Sequence, residues 1–239
     1  EGPPNISLVN VRFQDDDGTE LSPLNMTIAG GECLGITGPD LANKSKFLKT
    51  VSGLLVPERG QVSFNNIDVE LYRNGNPGSI VFVGPKSSVF DGTILENFTL
   101  FGTGPNVDEV RWAAQMSGVD YEINCLPNGY DTPIGDGSIE KLSQGLIRRI
   151  LLTRAIAMLP RVLVLEEPQM FLDNASDKQL VKCLSALRHH MTIILSTMRP
   201  SYFQLADRML TFDHGGILVT ADYRNNGHED TQPFVREAG

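Results

Sequence analysis

Cysteine is scarce and odd in number: Cys33, Cys125 and Cys183 are the only three in 239 residues. They are too few and too widely spaced for a disulfide framework or a Cys-x-x-Cys metal knuckle. A reducing, cytosolic compartment is the default that follows. Also missing is any apolar run near the roughly 18 residues of a membrane-spanning helix, so the chain itself is expected to be soluble. Positive charge is in short supply, with 20 Lys and Arg against 29 Asp and Glu and a net charge of -9. Nonspecific nucleic-acid binding relies on Lys and Arg displacing counterions from phosphates, so no nucleic-acid partner is expected. The opening Glu1-Gly2-Pro3-Pro4 has neither an initiating Met nor a basic-then-apolar leader, which reads as a domain excised from a longer polypeptide.

What is present suits one large core, or a core with a subdomain. Runs rich in Val, Ile, Leu and Phe predict strands over 6–13, 24–28, 33–37, 61–65, 80–83, 162–165, 191–195, 208–212 and 216–219. Helical patterns occupy 107–117, 143–158 and 176–188, the last behind the cap-competent Asp173 and Asn174. Strand-helix alternation predicts an α/β fold with a parallel sheet. Residues 85–159 lack strand-like runs and read as an inserted helical subdomain, between 1–84 and 160–220. From 221 to 239 the chain is a polar tail with little to bury.

The strand Cys33-Leu34-Gly35-Ile36-Thr37 leads into Gly38-Pro39-Asp40-Leu41-Ala42-Asn43-Lys44-Ser45 and then an apolar-periodic stretch through Leu55. That order suits a phosphate cradle, with inward backbone N–H groups, a helix N-terminus, Lys44 for the terminal phosphates and Ser45 for Mg2+. The pattern G-x-x-x-x-G-K-[ST] is met except at its second glycine, where Asn43 stands. Asn best tolerates the positive φ that glycine would supply. Taken alone, the stretch reads equally as an ordinary strand-turn-helix with an exposed lysine. Downstream, Val162-Leu163-Val164-Leu165 runs into Glu166-Glu167-Pro168. In P-loop ATPases the first acid there orients Mg2+ through water and the second polarises the attacking water.

Between these two elements lies Lys141-Leu142-Ser143-Gln144-Gly145-Leu146, at the start of a helix. With it the chain resembles the nucleotide-binding domain of ABC transporters, especially exporters and the type I secretion subfamily. In that family a Leu-Ser-Gly-Gly-Gln element opens a helix and clamps the γ-phosphate of ATP held by the opposite subunit; Leu142, Ser143 and Gly145 match it. Other stretches follow in the family's order. Residues 8–13 and Gly30-Gly31-Glu32 resemble its N-terminal β-region, and Val89 to Asn97 the exporter stretch after the Gln-loop. Gly129 to Asp136 resembles the stretch before the signature helix, Phe171-Leu172-Asp173 the D-loop, and Thr197-Met198-Arg199-Pro200 the switch.

The resemblance implies a P-loop NTPase core with an N-terminal antiparallel β-region, and ATP with Mg2+ as cofactors. It places nucleotide contacts at Gly38, Pro39, Asn43, Lys44, Ser45, Lys46, Ser143, Gly145 and Asp173, Mg2+ at Ser45 and Glu166, and the catalytic base at Glu167. It also implies a transmembrane domain, in the same polypeptide, and a second nucleotide-binding domain as homo- or heterodimer. The location implied is the cytoplasmic face of the plasma (inner) membrane.

The departures fall on chemistry. Asp15 stands where an aromatic stacks on adenine, Leu41 and Asn43 replace loop glycines, and Asp40 adds a negative charge beside a phosphate site. Pro85 replaces the Gln that senses Mg2+ and the γ-phosphate, and Gln144 and Leu146 alter the signature. Met198 replaces the switch histidine, which removes an imidazole from the γ-phosphate. His189 and His190 read as charges at a helix C-terminus. Trp112, at helical spacing with Val107, Val110 and Ala114, reads as core, and Asp15-Asp16-Asp17-Gly18 as a solvated turn. Three readings follow: an exporter domain that binds Mg-ATP with impaired hydrolysis, a pseudo-ATPase that binds no nucleotide, and a soluble non-transport cassette. The exporter-like Phe90 to Ile94 disfavours the third.

Overall fold

The computed structural model describes residues 2–13, 23–135, 142–213 and 216–220. Asp15 to Gly18, Asp136, Lys141 and the 221–239 tail therefore lie outside the described residues. In chain order the elements are β1 (Ile6–Val11), β2 (Leu24–Ile28), β3 (Cys33–Thr37), α1 (Leu41–Val51), β4 (Gln61–Phe64), β5 (Ile67–Asp68), α2 (Val69–Gly75) and β6 (Ile80–Val83). There follow β7 (Gly92–Thr93), α3 (Ile94–Thr99), α4 (Val107–Ser117), α5 (Asp120–Asn124), β8 (Pro133–Ile134), α6 (Gln144–Ala157) and β9 (Val162–Glu166). The remainder are α7 (Asn174–Leu187), β10 (Thr192–Ser196), α8 (Pro200–Phe203), β11 (Arg208–Asp213) and β12 (Gly216–Thr220). Among the described residues no helix is long and apolar enough to cross a membrane.

The first of two compact units comprises Glu1–Phe82, Arg161–Glu167 and Leu187–Gly239. Its larger sheet has the order β12-β11-β3-β10-β9-β6. β3 lies between β11 and β10 with parallel register on both sides, and β10 pairs in parallel with β9. The continuous apolar runs of β3 and β9 and the fully buried β10 are what a sheet covered on both faces demands. β12 closes the edge antiparallel to β11. A second sheet, β2-β1-β4-β5, is antiparallel. There Ile6 and Leu8 point inward, and the register shifts before the buried Val11, re-aiming the strand end as a bulge does.

α1 joins the two sheets through its buried face of Phe47, Leu48 and Val51. Phe47 meets Phe13 and Phe212 with ring centroids 6.2 and 5.6 Å away, and Phe13 lies 6.2 Å from Phe212. Such tilted aromatic contacts add about 0.5–1.5 kcal/mol each beyond area burial. The trio pins the middle of α1 to the end of β11.

The second unit, Val83–Pro160 with Pro168–Ala186, is mainly helical. α4 opens with a capping box in which Asn106 and Glu109 satisfy each other's backbone N–H groups, and it ends on Gly118 in the left-handed conformation. Its small inner residues Ala113 and Ala114 are fully buried, and Ser117 shares a buried 2.7 Å hydrogen bond with Thr153 of α6. Arg149 of α6 pairs with Glu122 and donates to the Gly118 carbonyl at 2.9 Å.

Three sequence expectations need correcting. Trp112 is not core: it is 37% exposed, and Val107 44%, because the inward face of α4 is set by Val110, Ala113, Ala114 and Ser117. The stretch expected to lack strands contains the two-residue pair β7 and β8, too short to leave a period-2 pattern. The α7 helix stops at Leu187. His189 beyond it takes φ +68°, so the two histidines are not in the last helical turn, where the helix dipole acts.

Candidate functional site

In the first unit the C-terminal ends of β3, β10 and β9 lie in adjacent order, the crevice where α/β sheets place ligands. The loop after β3 is drawn tightly onto β11. A Cβ on Gly38 would lie 2.0 Å from the Phe212 carbonyl oxygen, and its φ is +105°. The Asp40 N–H donates to that same carbonyl at 3.4 Å. Pro39 is exposed, and Ser45 and Lys46 are half-buried.

The loop is shorter than the sequence pattern implies. α1 starts at Leu41, and from 38 to 45 only Gly38 has positive φ. Asn43 therefore does not fill a glycine-like conformation, and the helix ends at Val51 rather than Leu55. The cause is Asp40, which caps α1. Its Oδ1 accepts the Asn43 N–H at 2.9 Å, its Oδ2 accepts the Asn43 side-chain amide at 2.7 Å, and its carbonyl accepts the Lys44 N–H at 3.2 Å. Asp is among the best N-caps, contributing about 0.5–2 kcal/mol relative to Ala, so the helix winds back over residues that a phosphate cradle keeps open.

Lys44 is 2% exposed, and its Nζ lies 3.9 Å from the Met198 sulfur. Burial pulls its pKa below the ordinary lysine value, while Glu167, Asp40 and Glu166 push it back up. Lys44 thus shares this end of the sheet with both acids that follow β9. Glu167 takes φ +46°, and its N–H donates to the Ser196 carbonyl at 3.0 Å. A β-carbon in the left-handed region costs on the order of 1 kcal/mol or more and persists where neighbours over-determine it. Met198 is 55% exposed, and its sulfur also accepts from Thr37 Oγ1 at 3.4 Å. A thioether is a weak acceptor with no proton to give.

The second unit holds the remaining predicted residues. Ser143 caps α6, accepting the Leu146 N–H at 3.1 Å. A Cβ on Gly145 would approach the Phe171 carbonyl to 2.9 Å, so this glycine is required by its own chain. The exposed Asp173 accepts the Ser176 N–H at 2.7 Å, and that bond holds its carboxyl below the usual carboxylate range. Arg148 was not singled out from sequence. It is 4% exposed and donates to the Gly84 carbonyl at 2.8 Å and the Pro168 carbonyl at 3.5 Å, fixing the backbone beside Pro85 and at Pro168. Only a charged residue on the inner face of a helix hinted at it.

The side chains of the first unit fit a magnesium-bound triphosphate: a buried ammonium, a helix hydroxyl at Ser45 and two carboxylates. Mg2+ is commonly held by one or two carboxylates together with substrate phosphates. The loop backbone fits only in part, because the Asn43 and Lys44 N–H groups are turned onto Asp40.

The profile of the ABC transporter family matches residues 21–170, more than half of the chain. The ABC transporter ATP-binding protein y4gM of Sinorhizobium fredii (strain NBRC 101917 / NGR234) is 31% identical over 219 residues, covering 91% of this chain and 37% of that protein. The α-hemolysin translocation ATP-binding protein HlyB of Escherichia coli O6:H1 is 29% identical over 223 residues, covering 92% and 31%. A solved bacterial Atm1-family ABC exporter with ATP bound superposes with a TM-score of 0.79 at 26% identity, covering 90% of this chain and 38% of that one. The chain thus spans about a third of the length of the curated relatives it matches. On this ground the chain belongs to the ABC transporter family as an exporter-type ATP-binding domain with the P-loop α/β fold, and the family's cofactor is ATP with Mg2+.

Proposed function

We propose that this domain binds Mg-ATP, closes against a second nucleotide-binding domain and so drives an attached transmembrane domain, with slow hydrolysis. The observation that carries this reading is the gathering of Lys44, Glu166 and Glu167 at one end of the sheet, with Met198 against the lysine. Packing alone gives no reason to bury a lysine beside two acids, whereas a triphosphate with Mg2+ does. Lys44 would bind the terminal phosphates, Ser45 and Glu166 would hold the metal, and Glu167 would accept the proton of the attacking water. When bound, Mg2+ draws charge from the transferring phosphoryl group. Gly38, Pro39, Asn43 and Lys46 border the phosphates; Ser143, Gly145 and Asp173 serve the composite site across the dimer. Residues 85–159 are the signature-bearing helical subdomain between 1–84 and 160–220. The location is the cytoplasmic face of the membrane that holds the transporter.

Closure does not require turnover, since ATP shared between two subunits favours the closed state by its higher affinity there. Slow turnover follows from Met198 and Pro85, which remove an imidazole and a side-chain amide from the γ-phosphate. Met198→His, in the presence of Mg-ATP and a complete cassette, should raise phosphate release roughly tenfold. This is below the 10²–10⁴ typical of general acid-base groups because Pro85 remains. Adding Glu167→Gln should remove the gain; phosphate release that ignores both substitutions would refute the assignment. The Asp40 cap favours a second reading, a cassette that binds no nucleotide and serves as a docking module. Retention of the Lys44, Ser45 and Glu167 set counts against it.

A further inference from the structure

We propose that Asp40 is an intramolecular competitor for phosphate: its carboxylate sits in the chain's own anion cradle, and nucleotide is held only when that carboxylate is displaced. The inference rests on the reading of this loop as a nucleotide site and adds the residue that sets its affinity. A phosphate cradle works by presenting backbone N–H groups and a lysine to an anion. Here the anion is built in. Asp40 is 6% exposed, with one carboxylate oxygen on the Asn43 N–H at 2.9 Å and the other on the Asn43 side-chain amide at 2.7 Å. It also lies close enough to Lys44 to favour the charged ammonium. The donors that would turn to a β- or γ-phosphate thus already satisfy a negative group.

The substitutions around it cooperate. Neither Leu41 nor Asn43 has positive φ, so the residues that replace glycine join α1, and the first helical turn closes under the cap. The Asp40 N–H is itself anchored on the Phe212 carbonyl, at the strand end where Gly38 is fitted. An incoming triphosphate must therefore unwind the first turn of α1 or eject the carboxylate, and an ejected Asp40 remains a like charge beside the phosphates. Both effects weaken binding relative to an open loop; Asp40→Ala removes both, and Asp40→Asn removes the like charge.

The test is calorimetric titration of wild type, Asp40→Asn and Asp40→Ala with Mg-ATP, together with hydrogen exchange at the Asn43 amide in the free proteins. Asn caps helices as well as Asp, so Asp40→Asn keeps an acceptor for the Asn43 N–H and the start of α1, while removing the charge and the second acceptor that faces the Asn43 side-chain amide. Both variants should bind Mg-ATP at least about tenfold more tightly than wild type, the scale expected for removing one like charge within a few ångströms at partial solvent screening. Exchange at Asn43 should quicken in Asp40→Ala and stay slow in Asp40→Asn. Wild-type binding left unchanged by both substitutions would overturn the inference alone. No binding by any of the three at millimolar Mg-ATP would overturn it together with the reading it rests on.

Discussion

Replacing Lys44 by Ala should weaken Mg-ATP binding by about a hundredfold, because a charge-assisted contact to phosphate contributes on the order of 1.5–3 kcal/mol and Ala supplies none of it. The lysine is not a surface cation whose loss solvent would absorb: it is 2% exposed, and burial disfavours its charged form. Its desolvation is offset only in part by Glu167, Asp40 and Glu166. Lys44→Arg discriminates charge from shape: it restores the charge but not the compact ammonium that fits beneath the Met198 sulfur, and should recover only part of the affinity. Equal binding by Lys44→Ala and wild type in calorimetry would remove the lysine from the site.

Gly38→Ala should be the most damaging single methyl in this region. The added carbon would lie 2.0 Å from the Phe212 carbonyl oxygen, and the backbone holds φ +105°. That combines a left-handed strain of about 1–3 kcal/mol with overpacking of similar size, so the expected loss is on the order of 4 kcal/mol or more. The displaced element would be the end of β11, which carries Phe212 of the aromatic trio and the carbonyl that anchors Asp40. Denaturant unfolding of the soluble variant, or its failure to accumulate in soluble form, reads this out. Gly75→Ala serves as the control: it is the last residue of α2, and a Cβ there meets nothing within 4 Å. Equal stability of the two variants would contradict the packing of the loop on β11.

The scaffold was legible because its signals are long and redundant. Val162 to Leu165 is a continuous apolar run and forms β9 at the position expected, extended only by Glu166. The pattern from 143 to 158 became α6 with Ser143 as its cap, since a Ser before an apolar-periodic stretch is a start signal with a physical cause. The loop after β3 departs from its sequence pattern because two local rules compete there. Phosphate-loop spacing asks for an open turn through Asn43, while Asp40 followed by Leu41 and Ala42 is a sequence that starts a helix. The capping signal prevailed. Its signal lies in Asp40 itself, which is a cap as well as a charge. Trp112 is exposed because large apolar side chains at helical spacing need not share a face: Val110 and Ala114 lie one turn apart, and Trp112 falls between them on the other side. The backbone roles of Arg148 depend on which loops pass its guanidinium, and no spacing in one sequence records that.

The central claim, that this domain holds ATP without spending it quickly, is tested most directly in one tube. The wild-type chain is incubated with excess Mg-ATP, and the nucleotide retained on the protein and the phosphate released are both quantified over an hour. The account predicts saturable retention of intact ATP, lost in Lys44→Ala, with phosphate release slower than about one per minute, far below the median enzyme turnover of roughly ten per second. No retained nucleotide at millimolar Mg-ATP, or turnover near that median, would contradict it.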